Sequence, residues 1–184
     1  MRSRHRCLIY EGSPWVQLPI LVAAALEELR ANKRCLYLNS APMVAGFRSQ
    51  LAAAGVDVEH EIRRGALILS SDQDHLTNGQ FDIGGMVQLL ADALSLATQE
   101  GFSGLWATGD MLWEFGSERN FGKLLAYEQA LEDLLQRNPD LGGICQYHID
   151  TLPKYALDVA LETHQEFCIN ETITRLAQPG RYKS

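Results

Sequence analysis

The apolar positions of the chain fall into two kinds of segment that alternate along it. Short runs rich in strand-forming residues occupy 7–10, 35–38, 66–69, 104–108, 144–147 and 166–169. Longer segments between them repeat apolar residues every three or four positions, the spacing of an amphipathic helix, over 14–31, 43–54, 84–100, 121–136 and 153–163. This alternation predicts an α/β fold, a mainly parallel sheet flanked by helices on both faces.

The residues that follow the predicted strands are the first candidates for a binding site, because open parallel sheets bind ligands beyond the carboxyl ends of their strands. These residues are Glu11 and Gly12, Asn39 and Ser40, Gly109 and Asp110, and His148 and Asp150.

The first of these junctions does not have the composition of a phosphate-binding loop. It contains Glu11, one glycine and Ser13 before Pro14, and the first lysine of the chain is Lys33. A P-loop needs several glycines and a lysine to hold phosphates, and an acid in their place repels them. ATP binding in the P-loop manner is therefore not expected.

The central segment, residues 105–116, carries two acids among large apolar side chains. Asp110 and Glu114 lie close to Trp106, Trp113 and Phe115. Aromatic residues at a strand end can wall an apolar pocket, or they can belong to the core. The two acids then either have buried partners or lie in an exposed loop.

A third acid, Glu128, falls on the apolar stripe of the predicted helix 121–136. The members of that stripe are Phe121, Leu124, Leu125, Leu131 and Leu135. A buried acid is costly unless it is hydrogen-bonded or paired. Glu128 is therefore either a structural clamp or a ligand contact.

The four cysteines, Cys7, Cys35, Cys145 and Cys168, form no CxxC pair and lie in apolar segments. They are expected to be small buried side chains of a cytoplasmic protein. A zinc site from His5, Cys7, Cys145 and His148 stays open as a second interpretation, without motif-grade spacing; no metal or other cofactor is assigned.

Length and charge limit the class of protein. The 184 residues are 46% apolar, which predicts one domain with a packed core, and no run is long enough to span a membrane. Three positive charges lie in residues 1–6, and Arg181 and Lys183 lie in the last four positions. Residues 7–180 therefore carry 11 positive against 23 negative charges. Such an acidic body argues against nucleic-acid binding.

No GxSxG or HExxH motif indicates catalysis, so the chain is not predicted to be an enzyme.

Five segments in order resemble a known family. They are residues 5–11, 35–38, 109–113, 127–128 and 144–147. Together they look like the MEDS domain, the methanogen/methylotroph DcmR sensory domain, over nearly the whole chain. The resemblance implies a single sensory domain over residues 1–184, with a core at about 5–170, and a RecA/KaiC-like fold without a P-loop.

The resemblance also implies a function and a set of site residues. Such domains are prokaryotic signal-input modules that bind small organic molecules, such as one-carbon or hydrocarbon derivatives. They relay to a histidine kinase, an anti-sigma-type partner or a transcription regulator, in cis or in trans. The ligand-binding residues expected here are Tyr10, Glu11, Asp110, Trp113, Tyr127, Glu128, Gln146 and Tyr147. We expect Glu11, Asp110 and Gln146 to anchor one pocket, with Trp113 as its apolar wall.

Two other functions stay open at this point. One is a divergent RecA/KaiC-like nucleotide-binding protein or ATPase relative. The other is a protein-interaction module without a ligand. Pairing of two copies of the chain into a homodimer is also left open.

Overall fold

A computed structural model describes residues 4–73, 75–117, 119–164 and 166–169. The predicted charged ends, with Arg2, Arg181 and Lys183, lie outside the described residues. Within them, strands and helices alternate as the apolar pattern predicts.

Six parallel strands form the central sheet. They are β1 (His5–Tyr10), β2 (Arg34–Leu38), β3 (Leu67–Ser70), β6 (Leu105–Asp110), β7 (Leu141–His148) and β8 (Glu166–Ile169), in the spatial order β3-β2-β6-β7-β1-β8. Two short strands, β4 (Leu76–Thr77) and β5 (Gln80–Phe81), form a separate antiparallel hairpin. The α/β fold with a parallel sheet is therefore confirmed.

Seven helices connect the described strands. They are α1 (Leu18–Arg30), α2 (Ala41–Ala53), α3 (Val58–Arg63), α4 (Ile83–Gln99), α5 (Met111–Glu114), α6 (Leu124–Arg137) and α7 (Lys154–Thr163). Short 3-10 turns at Pro14–Gln17 and Phe121–Lys123 precede α1 and α6. Ser13 caps the first turn through the amide of Trp15, and Pro14 starts it, as is common for a first helical position.

Each face of the sheet carries its own apolar core. On one face α1, α2 and α3 pack against side chains such as Tyr37, Trp106 and Ile144. On the other, α4, α6 and α7 pack against Cys7, Leu105 and Tyr147. Because successive strand residues point to opposite faces, Cys145 and Tyr147 lie on the α6 side. The result is consistent with a RecA-like α/β fold.

Three details of the sequence interpretation are corrected. The helix α3 and the β4–β5 hairpin were not predicted, although Asn78 and Gly79 form a typical two-residue hairpin turn with positive φ at both positions. Leu125 is exposed instead of lying on the buried stripe of α6, because Tyr127 occupies the face toward the sheet.

No described helix is both long and apolar enough to cross a membrane.

Candidate functional site

The ends of three central strands bring Tyr10, Asp110 and His148 to one edge of the sheet. Parallel pairing sets Tyr10 beside His148 and Asp110 beside Gln146. The Tyr10 hydroxyl donates to Asp110 Oδ2 at 2.6 Å, and the Tyr10 ring stacks on the His148 ring at a centroid distance of 4.7 Å. These contacts hold the three side chains together at the carboxyl edge.

Asp110 also fixes the start of α5. Its Oδ1 accepts hydrogen bonds from the amides of Leu112 at 2.9 Å and Trp113 at 3.2 Å, which caps the helix and places Trp113 at the edge. Burial raises the pKa of Asp110 above its usual value, and the hydrogen bonds from Tyr10 and the two amides only partly offset this effect. The acid is therefore easier to protonate than an exposed aspartate.

A cavity of about 240 Å³ lies at this edge. Its lining residues are Tyr10, Pro14, Gln17, Asn39, Ser40, Met43, Asp110, Leu112, Trp113 and His148. One buried polar side chain in this lining, that of Gln17, is poorly matched by the described residues around it. The Gln17 side chain lies beside Tyr10 and is 1% exposed, yet neither its amide nitrogen nor its oxygen has a hydrogen-bond partner of good geometry among the described residues.

A hydrogen-bonded chain inside the sheet orients Asn39 at the cavity. Gln146 is fully buried and donates to Thr108 Oγ1 at 2.8 Å, while its oxygen accepts from Asn39 Nδ2 at 3.3 Å. The Asn39 oxygen in turn accepts from the Ser40 amide at 2.8 Å. Gln146 therefore acts on the cavity through Asn39 and is not itself part of its lining.

The loop after β1 is closed by the protein's own groups. The Gly12 amide donates to Asp150 Oδ2 at 2.6 Å, and His148 Nε2 lies 2.8 Å from the Gly12 carbonyl oxygen, which can only accept. The Asp150 carboxylate thus already accepts the hydrogen bond of the Gly12 amide, a backbone group of the kind that binds phosphate in a P-loop. The described residues lining the cavity include neither lysine nor arginine, and Glu11 is not among them.

A second polar cluster lies on the α6 side of the sheet around Glu128, which has no exposed surface. Tyr147 donates its hydroxyl hydrogen to Glu128 Oε1, and His5 Nε2 lies 3.2 Å from Oε2. Burial alone would raise the pKa of Glu128 and lower that of His5. Their mutual attraction, together with His164 and Tyr147 at Glu128 and with Glu132 at His5, outweighs this effect. The pKa of Glu128 is lowered and that of His5 is raised, so the two form a buried ion pair.

The remaining buried acid, Glu114, has a tyrosine as its partner. Tyr127 donates to Glu114 Oε2 at 2.8 Å. Burial raises the pKa of Glu114 to about 8, with a further contribution from the negative charges of Glu128 and Asp110. The side chain lies against Gly109, where any Cβ atom would overlap the carboxylate. The interpretation of Asp110 and Glu114 as exposed loop acids is therefore wrong.

The structure divides six of the eight predicted ligand residues between two places, while Glu11 and Gln146 line neither cavity. Tyr10, Asp110 and Trp113 line the edge cavity. Tyr127, Glu128 and Tyr147 lie in the polar cluster on the α6 side of the sheet. There, Tyr127 lines a smaller cavity of about 50 Å³ together with His5 and Cys145.

Of the four candidate metal ligands, the structure brings His5 and Cys145 together, and Glu128 and His164 complete a buried group of ligand atoms around them. Cys7 is buried nearby and is not part of this group, while His148 lines the edge cavity. Three of the four predicted buried cysteines are buried, and Cys168 is half-buried.

Two residues of these sites were not found from the sequence. Gln17 lies in a 3-10 turn, so its burial does not follow from the spacing of α1. His164 directly follows α7, and only its position at a helix end could have drawn attention to it.

Comparison with known proteins gives one family. The family model described as "MEDS: MEthanogen/methylotroph, DcmR Sensory domain" matches residues 4–165. No curated protein matches the chain.

Proposed function

The chain belongs to the MEDS family of sensory domains, and we propose that it is a non-catalytic signal-input domain that binds a small organic molecule in the edge cavity. Its sensory role follows from the family, whose model covers most of the chain. The proposal adds the site, the class of ligand and the relay to a partner.

The observation that carries the proposal is the buried amide of Gln17, which lies beside Tyr10 but has no hydrogen-bond partner of good geometry among the described residues. A buried amide without hydrogen bonds costs about 1–3 kcal/mol, so such groups are rare in folded proteins unless a ligand or water pairs with them. Gln17 lines the same cavity as Asp110 and Tyr10, whose polar atoms can contact the same molecule. The rest of the wall is largely apolar, with Met43, Leu112 and Pro14.

Size and charge define the ligand class. A cavity of about 240 Å³ is smaller than the roughly 300–1,000 Å³ typical of sites for drug-sized molecules. Asp110, whose pKa burial raises, favours a neutral or cationic group over an anion. The site therefore suits a compact molecule with one polar group and an apolar remainder, such as a short alcohol, an amine or a halogenated one-carbon compound.

Nucleotide binding is the less favoured alternative. A triphosphate needs cationic partners, whereas the described cavity lining carries an acid and the Gly12 amide already binds Asp150.

The proposed relay is supported by the elements that line the cavity. They are the 3-10 turn Pro14–Gln17, the start of α2 and the start of α5. A ligand that contacts all three changes their relative positions. We propose that a histidine kinase, an anti-sigma-type partner or a transcription regulator reads this change. The four unpaired cysteines are compatible with a cytoplasmic setting.

Thermal unfolding with a panel of short alcohols, amines and halogenated one-carbon compounds tests the proposal. A ligand at 100 times its dissociation constant should stabilise the protein by about 2.7 kcal/mol. The Gln17→Met variant should lose this response, whereas Gln88→Met, an exposed glutamine on α4, should keep it. MgATP is the comparison arm. A shift with MgATP alone would support the nucleotide alternative, and no shift with any compound would contradict ligand sensing at this cavity.

A further inference from the structure

The polar cluster around Glu128 brings four metal-ligating side chains to one point in the core. One ring nitrogen each of His5 and His164, a carboxylate oxygen of Glu128 and Sγ of Cys145 all lie within 4.8 Å of one another. All four side chains are buried. They come from β1, α6, β7 and the residue that follows α7, so the sequence separates them widely.

Four of the six separations between these ligand atoms resemble those of a tetrahedral site. Glu128 Oε2 lies 3.2 Å from His5 Nε2, 3.5 Å from His164 Nε2 and 3.9 Å from Cys145 Sγ, and Cys145 Sγ lies 3.6 Å from His5 Nε2. Metal–ligand bonds of about 2.0–2.3 Å at tetrahedral angles place ligand atoms roughly 3.3–3.7 Å apart. The group therefore needs only small side-chain adjustments to enclose an ion.

Both imidazole rings are oriented by partners on their far side. His5 Nδ1 lies 3.0 Å from Glu132 Oε2, and His164 Nδ1 lies 2.9 Å from the Ala160 carbonyl oxygen. These oxygens can only accept, so Nδ1 is the donor in each ring. In the neutral form each Nε2 then directs a lone pair toward the centre of the group. Metal-binding histidines are commonly held in this way by a carboxylate or carbonyl.

A proton alone does not satisfy this arrangement. His5 Nε2 contacts Glu128, whereas buried His164 Nε2, 3.5 Å from Glu128 Oε2, has no hydrogen-bond partner of good geometry among the described residues. Protons on both Nε2 atoms would place an excess positive charge in the core. A divalent cation bound by two neutral imidazoles, one carboxylate and one thiolate leaves no net charge and satisfies all four groups.

We propose that His5, Glu128, Cys145 and His164 bind one zinc ion. Two nitrogens, one sulfur and one oxygen form a donor set of intermediate softness, which suits zinc. Four protein ligands are typical of a closed structural zinc site. The ion joins the residue after α7 to β1 and β7 and thereby fixes α7 against the sheet. This site is separate from the edge cavity and does not depend on the proposed sensing of an organic ligand.

Metal analysis of the full chain, purified without a histidine tag or chelators, tests the proposal. We expect about one zinc per chain. We expect loss of zinc in Cys145→Ser and His164→Gln and full content in two controls, Cys35→Ser in the opposite core and His60→Gln on the surface. Cobalt added to the metal-free protein should give the intense visible bands of a tetrahedral site and a thiolate charge-transfer band. That band should be absent from Cys145→Ser.

A milder variant keeps the test decisive if the core variants fail to fold. Glu132 is partly exposed, and Glu132→Gln changes the group that orients His5 without altering any of the four proposed ligands. It should weaken zinc binding by about 10–100-fold in a competition titration with a chelator. A wild-type protein that binds neither zinc nor cobalt would overturn the proposal. The proposal would also be overturned if Cys145→Ser, His164→Gln and Glu132→Gln all kept the zinc content and zinc affinity of the wild type.

Discussion

Tyr127 of α6 donates its hydroxyl hydrogen to Glu114 of α5, and this bond joins two elements across the apolar core below the sheet. The described partners of the Glu114 carboxylate include no cation. This is unlike Glu128, which is paired with His5. Glu114 is therefore the acid in this core that stays protonated near neutral pH, with a pKa of about 8.

This pKa predicts a pH dependence of stability. The folded chain keeps the Glu114 proton up to about pH 8, whereas the unfolded chain releases it near the ordinary value of 4.5. Between these values the folded state binds more protons, so the free energy of unfolding falls as pH rises, by up to about 1.4 kcal/mol per pH unit. Glu114→Gln keeps an acceptor for Tyr127 and should flatten this slope. Urea unfolding from pH 5 to pH 8 measures it, with exposed Glu162→Gln as control. Equal slopes in Glu114→Gln and wild type would contradict the assignment.

Gly109 is predicted to be intolerant of a side chain. A Cβ atom there would overlap the Glu114 carboxylate, so Gly109→Ala should lower the free energy of unfolding by about 1–3 kcal/mol. Adding Glu114→Ala removes the overlap, and the two changes should therefore be non-additive. Gly142→Ala on the neighbouring strand meets only ordinary contacts and is the control. Chemical denaturation of Gly109→Ala, Glu114→Ala, the double variant and Gly142→Ala decides the question, and strictly additive losses would refute the steric explanation.

Gln17 should show a trade-off between stability and binding. Replacing its amide by the similarly sized apolar side chain in Gln17→Met should stabilise the free protein by about 1 kcal/mol, because this buried polar group has no hydrogen bond of good geometry among the described residues. The same change should abolish the thermal response to the organic ligand. Unfolding midpoints with and without ligand measure both effects. A destabilised variant that still binds would show that Gln17 serves only the fold.

Trp113 should report occupancy of the edge cavity. Of the three tryptophans, Trp113 lines the cavity, Trp106 is buried in the opposite core and Trp15 is half-exposed. Ligand binding should change the fluorescence of the wild type and of Trp15→Phe, and should leave that of Trp113→Phe nearly unchanged. A response that persists in Trp113→Phe would place the ligand elsewhere.

Arg34 is expected to stabilise the fold far more than a surface arginine. It is 2% exposed, donates to the Gly65 carbonyl at 2.6 Å, pairs with Glu100 and lies 4.8 Å from the centre of the Phe102 ring. Lysine cannot reproduce this planar set of contacts, so Arg34→Lys should cost about 1–3 kcal/mol. Arg48→Lys, in an exposed pair with Glu59, should cost less than about 0.5 kcal/mol. Similar losses of unfolding free energy in Arg34→Lys and Arg48→Lys, measured by chemical denaturation, would contradict this prediction.

The alternation of apolar patterns was enough to predict the sheet, the main helices and the edge at which the cavity lies. Strand alternation also explains why Cys145 and Tyr147 lie on one face. The pairing of distant side chains was beyond such reasoning, because nothing local links His164 to Glu128 or Tyr127 to Glu114. Gln17 was missed for a related reason, since a 3-10 turn breaks the helical spacing on which burial is predicted.

The contact between Asp150 and the Gly12 amide makes the loop after β1 a site with an internal competitor. A tethered carboxylate acts at an effective concentration of roughly millimolar or more, so an external anion binds there only after displacing it. The apparent affinity for phosphate is reduced accordingly, even before the repulsion by Glu11 is counted. Acquiring nucleotide binding at this loop would therefore require two separate changes, the loss of Asp150 and the gain of a cation.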